Sequence, residues 1–158
     1  MTTDIKYFTP AEARKTLPLV KQIVKDILNT TREIRLLAEE IGPEAENSDT
    51  IQKMAADVEK FLRELEEIGC FFKDWNFTIG LVDFPAIIDG EDVLLCWRSD
   101  EDDIKYYHKP AEGYDASSNL LKKISDTDLA AFCHLRTYCH HHDSGRYRND
   151  YRWDRLVS

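Results

Sequence analysis

The sequence predicts an α+β protein with a long, coiled-coil-like helical hairpin, a small three-stranded antiparallel β-sheet, and a C-terminal helix with a tail. Two observations support this class. Apolar residues recur at alternating steps of three and four up to Ile68, and aromatic and β-branched residues then flank an Asp-Gly pair. The length of 158 residues suits one compact domain, assigned to residues 1–118, with a C-terminal extension over residues 119–158.

The first helix is predicted to begin at Pro10 and to end at Gly42-Pro43. Thr9 is placed to cap the first turn, and Glu12 completes a capping box. The apolar positions that follow have a period of about 3.5 residues, which is typical of a coiled-coil seam. They are Leu17, Val20, Val24, Ile27, Thr31, Ile34, Ala38 and Ile41.

The second helix repeats the pattern after a polar connector, and Gly69 ends it. A short connector favours an antiparallel pair. Residues 10–41 would span about 48 Å and residues 50–68 about 28 Å. The second helix is therefore too short to bury the whole apolar face of the first, and another element must cover the rest. Two covers are open: the β-sheet of the same chain, or a second copy of the chain in a helical dimer. The second seam comprises Ile51, Met54, Val58, Phe61, Leu65 and Ile68.

A β-hairpin is predicted over residues 79–88 and 91–98, because Asp89-Gly90 is a preferred pair for a type I′ turn. Residues 103–108 supply a third strand. Pro85 has no N–H to donate to a neighbouring strand, so its strand is predicted to be the outermost.

Composition narrows the classes of partner. The formal net charge of −9 disfavours nucleic acid and anionic membranes, which attract a surplus of Lys and Arg. No apolar run approaches the roughly 20 residues of a membrane span. The N-terminus has no signal-peptide segment, so we expect a cytoplasmic protein. The four cysteines are then expected to be reduced thiols rather than a disulfide framework.

Several sequence blocks match a known pattern: Tyr7–Thr9 at the N-terminus, Asp83–Ala86, and Leu95–Arg98. Over residues 7–114 the chain resembles a family of small bacterial proteins known as domain of unknown function 2203. The resemblance implies a fold class and a bacterial origin, and it implies no reaction. Family members typically continue with a Gly-Arg segment, whereas this chain has Asp115–Ser118.

The predicted hairpin places Asp83 directly opposite Cys96, with both side chains on one face of the sheet. In one register of the third strand, His108 lies on the opposite face. In the register shifted by one residue, Leu94 faces His108 and the histidine shares the face of Cys96. A carboxylate, a thiolate and an imidazole would together bind zinc or iron. The alternative is an apolar buried cysteine, a hydrogen-bonded histidine and an aspartate bonded locally.

The extension offers a second metal hypothesis and a partner-binding hypothesis. Cys139, His142 and Asp143 have the three- or four-residue spacing that places ligands on one side of a helix. The alternative is a helix end at which histidines and arginines complement the dipole. The last segment mixes arginine with aromatic residues, as protein–protein hot spots do. Its candidate partner-binding residues are Arg146, Tyr147, Arg148, Tyr151, Arg152, Trp153 and Arg155.

Three function classes follow, in this order. The first is a non-catalytic interaction or assembly subunit that forms a homodimer and docks onto a larger enzyme complex. The second is a zinc- or iron-binding protein that uses either candidate metal cluster, and outside this class no cofactor is expected. The third is a small enzyme with Cys96 as its reactive thiol. An enzyme is disfavoured because the chain has no Gly-rich phosphate loop, nucleophile elbow or helical metalloprotease motif.

Overall fold

The computed structural model describes residues 4–74, 76–110 and 122–124, and it confirms the α+β class. None of the helices in these ranges combines the length and the apolar character needed to cross a lipid bilayer. The elements are α1 (Pro10–Ile41), a short 3₁₀ helix (Gly42–Asn47), α2 (Asp49–Ile68), β1 (Phe71–Phe72), β2 (Leu81–Ile88), β3 (Glu91–Arg98), β4 (Tyr106–His108) and β5 (Lys122–Lys123).

Local capping determines where the helices begin and end. The Thr9 hydroxyl accepts a hydrogen bond from the Glu12 N–H at 3.1 Å, and the Glu12 carboxylate accepts one from the Thr9 N–H at 3.2 Å. The predicted capping box is therefore confirmed. Ser48 caps α2 through the N–H of Ile51, at 3.4 Å. Gly69 ends α2 with a φ of 105°, a left-handed conformation that glycine adopts without strain.

Most residues of the two predicted seams are buried within one chain, whereas Met54, Phe61 and Ile68 of the second seam are half-buried. Thr31, the polar member of the α1 seam, donates its hydroxyl to the Ile27 carbonyl at 2.9 Å, so its burial leaves no unsatisfied group. At the C-terminal end of α1, Ala38 is half-buried and Ile41 is exposed. The fully buried seam residues are Leu17, Val20, Val24, Ile27, Thr31, Ile34, Ile51, Val58 and Leu65.

The N-terminal half of α1 packs on the sheet of the same chain. Arg14 Nη2 donates to the Ile104 carbonyl at 3.0 Å, in the connection between β3 and β4. Further along the helix, Gly80 approaches α1 so closely that an added Cβ would lie 2.2 Å from Val24 Cγ1. The sheet is therefore the observed cover for this part of α1, and a second copy of the chain is not required to bury it.

Within the described residues, the sheet has five antiparallel strands in the order β1-β2-β3-β4-β5. The predicted strands correspond to β2, β3 and β4, and β1 and β5 are additional. Each added strand has only two residues, too few to produce a recognisable periodicity. β5 lies in the segment assigned to the C-terminal extension, and it pairs with β4.

β2 is not the outermost strand, so this prediction is wrong. β1 lies outside it and pairs Phe71 with Asp83. β1 ends before it reaches Pro85, whose carbonyl instead accepts a hydrogen bond from the Phe8 N–H at 2.7 Å. The carbonyl and the nitrogen of a strand residue point to the same side, so the missing N–H of Pro85 removes no bond to β3.

The sheet has two buried faces of different chemistry. One face packs against the helices in a single apolar cluster. The other face carries Asp83, Cys96 and His108, which are 4%, 2% and 2% exposed. The second face of a small antiparallel sheet is more often solvated, so buried ionisable groups there require a physical reason. The sheet residues of the apolar cluster are Phe72, Val82, Phe84, Ala86, Ile88, Val93, Leu95 and Trp97.

Candidate metal centre

The β2–β3 turn places two of the three candidate ligands opposite each other. Asp89 and Gly90 have φ values of 52° and 77°, the pair of positive angles that a type I′ turn requires. This two-residue turn fixes the register that pairs Asp83 with Cys96, as predicted. The Cys96 thiol donates to Asp83 Oδ1 at an Sγ–O distance of 3.1 Å.

The register of β4 decides the position of the third side chain. Leu94 pairs with His108, and Cys96 pairs with Tyr106. This is the second of the two registers left open by the sequence, so His108 shares the face of Cys96 as its diagonal neighbour. His108 Nε2 lies 3.6 Å from Asp83 Oδ1.

The backbone orients the histidine ring toward the aspartate. His108 Nδ1 lies 2.8 Å from the Lys109 carbonyl, which can only accept a hydrogen bond. This contact assigns a proton to Nδ1 and, in the neutral ring, a lone pair to Nε2. Metal-bound histidines are commonly oriented in this way by a carbonyl on the other nitrogen. Sequence reasoning missed Lys109, because a backbone carbonyl has no signature in residue type.

The thiol of Cys96 is held protonated in this environment. Burial raises its pKa well above the ordinary value, and the neighbouring Asp83 carboxylate raises it further. The thiolate is the nucleophilic form of cysteine, so this arrangement disfavours Cys96 as a reactive thiol at neutral pH. A bound cation would reverse the balance, because a coordinating thiol is deprotonated.

The three ligand atoms lie within 4.8 Å of one another. In a tetrahedral site with bonds of about 2.0–2.3 Å, ligand atoms lie roughly 3.3–3.6 Å apart. The S–O separation of 3.1 Å and the N–O separation of 3.6 Å are close to that range. In the part of the chain that the structure describes, this is the one such group of three residues.

The remaining predicted site residues lie outside the described residues. They comprise the second metal cluster, Cys139, His142 and Asp143, and the partner-binding set, Arg146, Tyr147, Arg148, Tyr151, Arg152, Trp153 and Arg155. Of the four cysteines, Cys70 and Cys96 are described, and both are free thiols, as expected.

Comparison with known proteins agrees with the resemblance found in the sequence. No curated protein and no solved structure matches the chain. The family described as "Uncharacterized conserved protein (DUF2203)" matches residues 6–120, which include all three ligands of the candidate metal centre. The match covers most of the chain and extends past the predicted limit of residue 114. The protein therefore belongs to the DUF2203 family.

Proposed function

We propose that this protein binds one transition-metal ion, zinc or iron, through Asp83, Cys96 and His108. The observation that supports the proposal is the convergence of three different donor atoms, from three adjacent strands, on a buried face of the sheet.

The donor set selects the class of metal. One carboxylate oxygen, one sulfur and one imidazole nitrogen form a mixed set that suits zinc or ferrous iron. Calcium and magnesium prefer oxygen ligands alone, so they fit poorly. Zinc is the simplest probe because it has no redox chemistry and is often bound by three protein ligands and one further donor.

The contact between His108 and Asp83 supports the same conclusion. With the ring proton on Nδ1, the Nε2 lone pair faces a carboxylate oxygen at 3.6 Å. The imidazole nitrogen and the carboxylate oxygen are both electron-pair donors, so one metal ion between them would bind both. The Cys96 sulfur lies beside the same carboxylate oxygen. A metal ion at this position would bind the oxygen, the nitrogen and the sulfur together.

The test is the metal content of the untagged protein isolated from its own host, measured by native mass spectrometry before and after chelation. We expect one zinc or iron per chain, lost in Cys96→Ser and in His108→Ala. Cys70→Ser is the matched control, because Cys70 is also a buried free thiol but belongs to the apolar cluster. It should retain the metal.

Two results would reject the site. Unchanged metal content in Cys96→Ser and His108→Ala would show that the metal binds to other residues of the chain. A wild-type protein that remains metal-free after incubation with zinc would show that the three side chains do not form a metal site. Circular dichroism of each variant separates loss of metal from loss of fold.

The assembly role is the second candidate. Its support in the described chain is two large apolar side chains on α1, Leu19 and Leu36, which are 56% and 60% exposed. We propose that this helix contacts another protein chain, with a homodimer as the first case. The expected result is a dimer mass by light scattering that Leu36→Glu reduces to a monomer mass. A wild-type chain that stays monomeric at high concentration would rule out the homodimer.

A further inference from the structure

We infer that the metal ion holds β4 against the β2–β3 hairpin, a role called the clasp below. Metal occupancy would then control how firmly β4 and β5 are attached to the rest of the sheet. This inference rests on the proposed function, because it assigns a role to the ion in the same site. The ligands Asp83, Cys96 and His108 belong to β2, β3 and β4 respectively, so one ion connects three consecutive strands.

The strands that the ion connects differ in length. β2 and β3 have eight residues each and are joined by a two-residue turn, so their pairing is extensive. β4 has three residues, and its pairing with β3 covers Leu94–Cys96. Short strands with few paired groups open more readily than long ones, so β4 is held less firmly than the β2–β3 hairpin.

β5 depends on β4 in turn. Among the described strands, β5 pairs with β4, through Lys123 opposite Tyr106, and the Ile124 N–H bonds to the Lys105 carbonyl at 2.9 Å. Ile124 is buried in the apolar cluster, so the position of β4 also determines whether this side of the core is closed.

His108 lies where a metal bond would hold β4, and with it β5, in place. It is the last residue of β4, and it lies on the buried second face, whereas its neighbour Tyr107 packs half-buried against the apolar cluster on the other face. A bond from the ion to Nε2 would tie the end of β4 to the β2–β3 hairpin. An ion that binds only when β4 is docked lowers the equilibrium constant for β4 opening by the factor 1 + [metal]/Kd.

The experiment is hydrogen exchange of the full chain with and without zinc, followed by mass spectrometry of peptides covering residues 104–110, 81–88 and 91–98. Without zinc, the β4 peptide should exchange faster than the two hairpin peptides. With free zinc at 100 times its Kd, exchange of the β4 peptide should slow by up to about 100-fold and approach the rate of the hairpin.

Cys96→Ala is the matched control, because it removes one ligand while leaving the β4 sequence intact. Its β4 peptide should exchange at the zinc-free rate whether or not zinc is added. If zinc also slows β4 in this variant, zinc acts through other residues and the clasp is rejected.

Native mass spectrometry of the same samples separates the two proposals. Absence of bound zinc in the wild-type protein would reject the metal site itself. One zinc per wild-type chain that is lost in Cys96→Ala, with no change in β4 exchange, would leave the site in place and reject only the clasp.

Discussion

Cys70 and Cys96 show how position decides the chemistry of one residue type. Both thiols are buried and free. Cys70 lies in the apolar cluster and donates to the Leu65 carbonyl at 3.4 Å, and burial raises its pKa to about 12. Cys96 lies on the opposite face, beside Asp83 and His108. The first is a small core residue, whereas the second has the neighbours of a metal ligand.

The Cys70 thiol makes the stability of the fold depend on alkaline pH. In the unfolded chain the thiol ionises near its ordinary pKa of 9.0, but in the folded chain it keeps its proton up to about pH 12. Its contribution to the free energy of unfolding is therefore complete below pH 9 and is lost as the pH rises from 9 to 12. The loss amounts to about 1 kcal/mol between pH 9 and pH 10.

Urea unfolding of the wild-type protein and of Cys70→Ala, repeated from about pH 8 to pH 10.5, measures this loss. Other groups titrate in the same range, but they are common to both proteins. We expect the free energy of unfolding to fall less steeply in Cys70→Ala above pH 9. Parallel curves would show that Cys70 does not cause the difference.

At the scale of elements, the loop before β2 and the helix α1 meet at a single tight contact. Gly80 is fixed there from both sides of its peptide. Its N–H donates to Ser99 Oγ at 3.0 Å, and its carbonyl accepts from the Ser99 N–H at 2.8 Å. The loop therefore cannot retreat from Val24 without breaking its bonds to the residue that follows β3.

Gly80→Ala should lower the free energy of unfolding by about 1–3 kcal/mol, because the new methyl group overlaps Val24 Cγ1. Denaturant unfolding measures the loss. The double variant Gly80→Ala/Val24→Ala should be less destabilised than the sum of the two single variants, because removal of the valine methyls makes room. An additive double variant would contradict a direct overlap.

The same scale shows what the sequence could predict. The periodicity of the apolar residues predicted the two helices, and the capping residues predicted where they end. The pairing of Asp83 with Cys96 followed from one turn, because Asp89-Gly90 leaves a single register for the hairpin. The position of His108 did not follow, because the longer connection after Arg98 admits both registers. The structure resolves that choice through the pairing of β4.

For the whole molecule, the sequence did not predict that the second face of the sheet is buried around the candidate site. Alternation along a strand separates the two faces but does not tell which face water reaches. The difference in length between the two helices was more informative, because it predicted that an element other than α2 must bury part of the apolar face of α1. The contacts of Arg14 and Val24 with the sheet connections provide that cover.

The contact between α1 and the sheet also constrains the order in which the chain folds as it is synthesised. Arg14 is separated by 90 residues from Ile104, whose carbonyl it contacts. α1 and α2 leave the ribosome first and can pair at once. The N-terminal half of α1 then keeps its apolar stripe in water until the β3–β4 connection has emerged. A nascent chain with this stripe exposed is a natural client for chaperones, and early translational stops should yield fragments prone to aggregation.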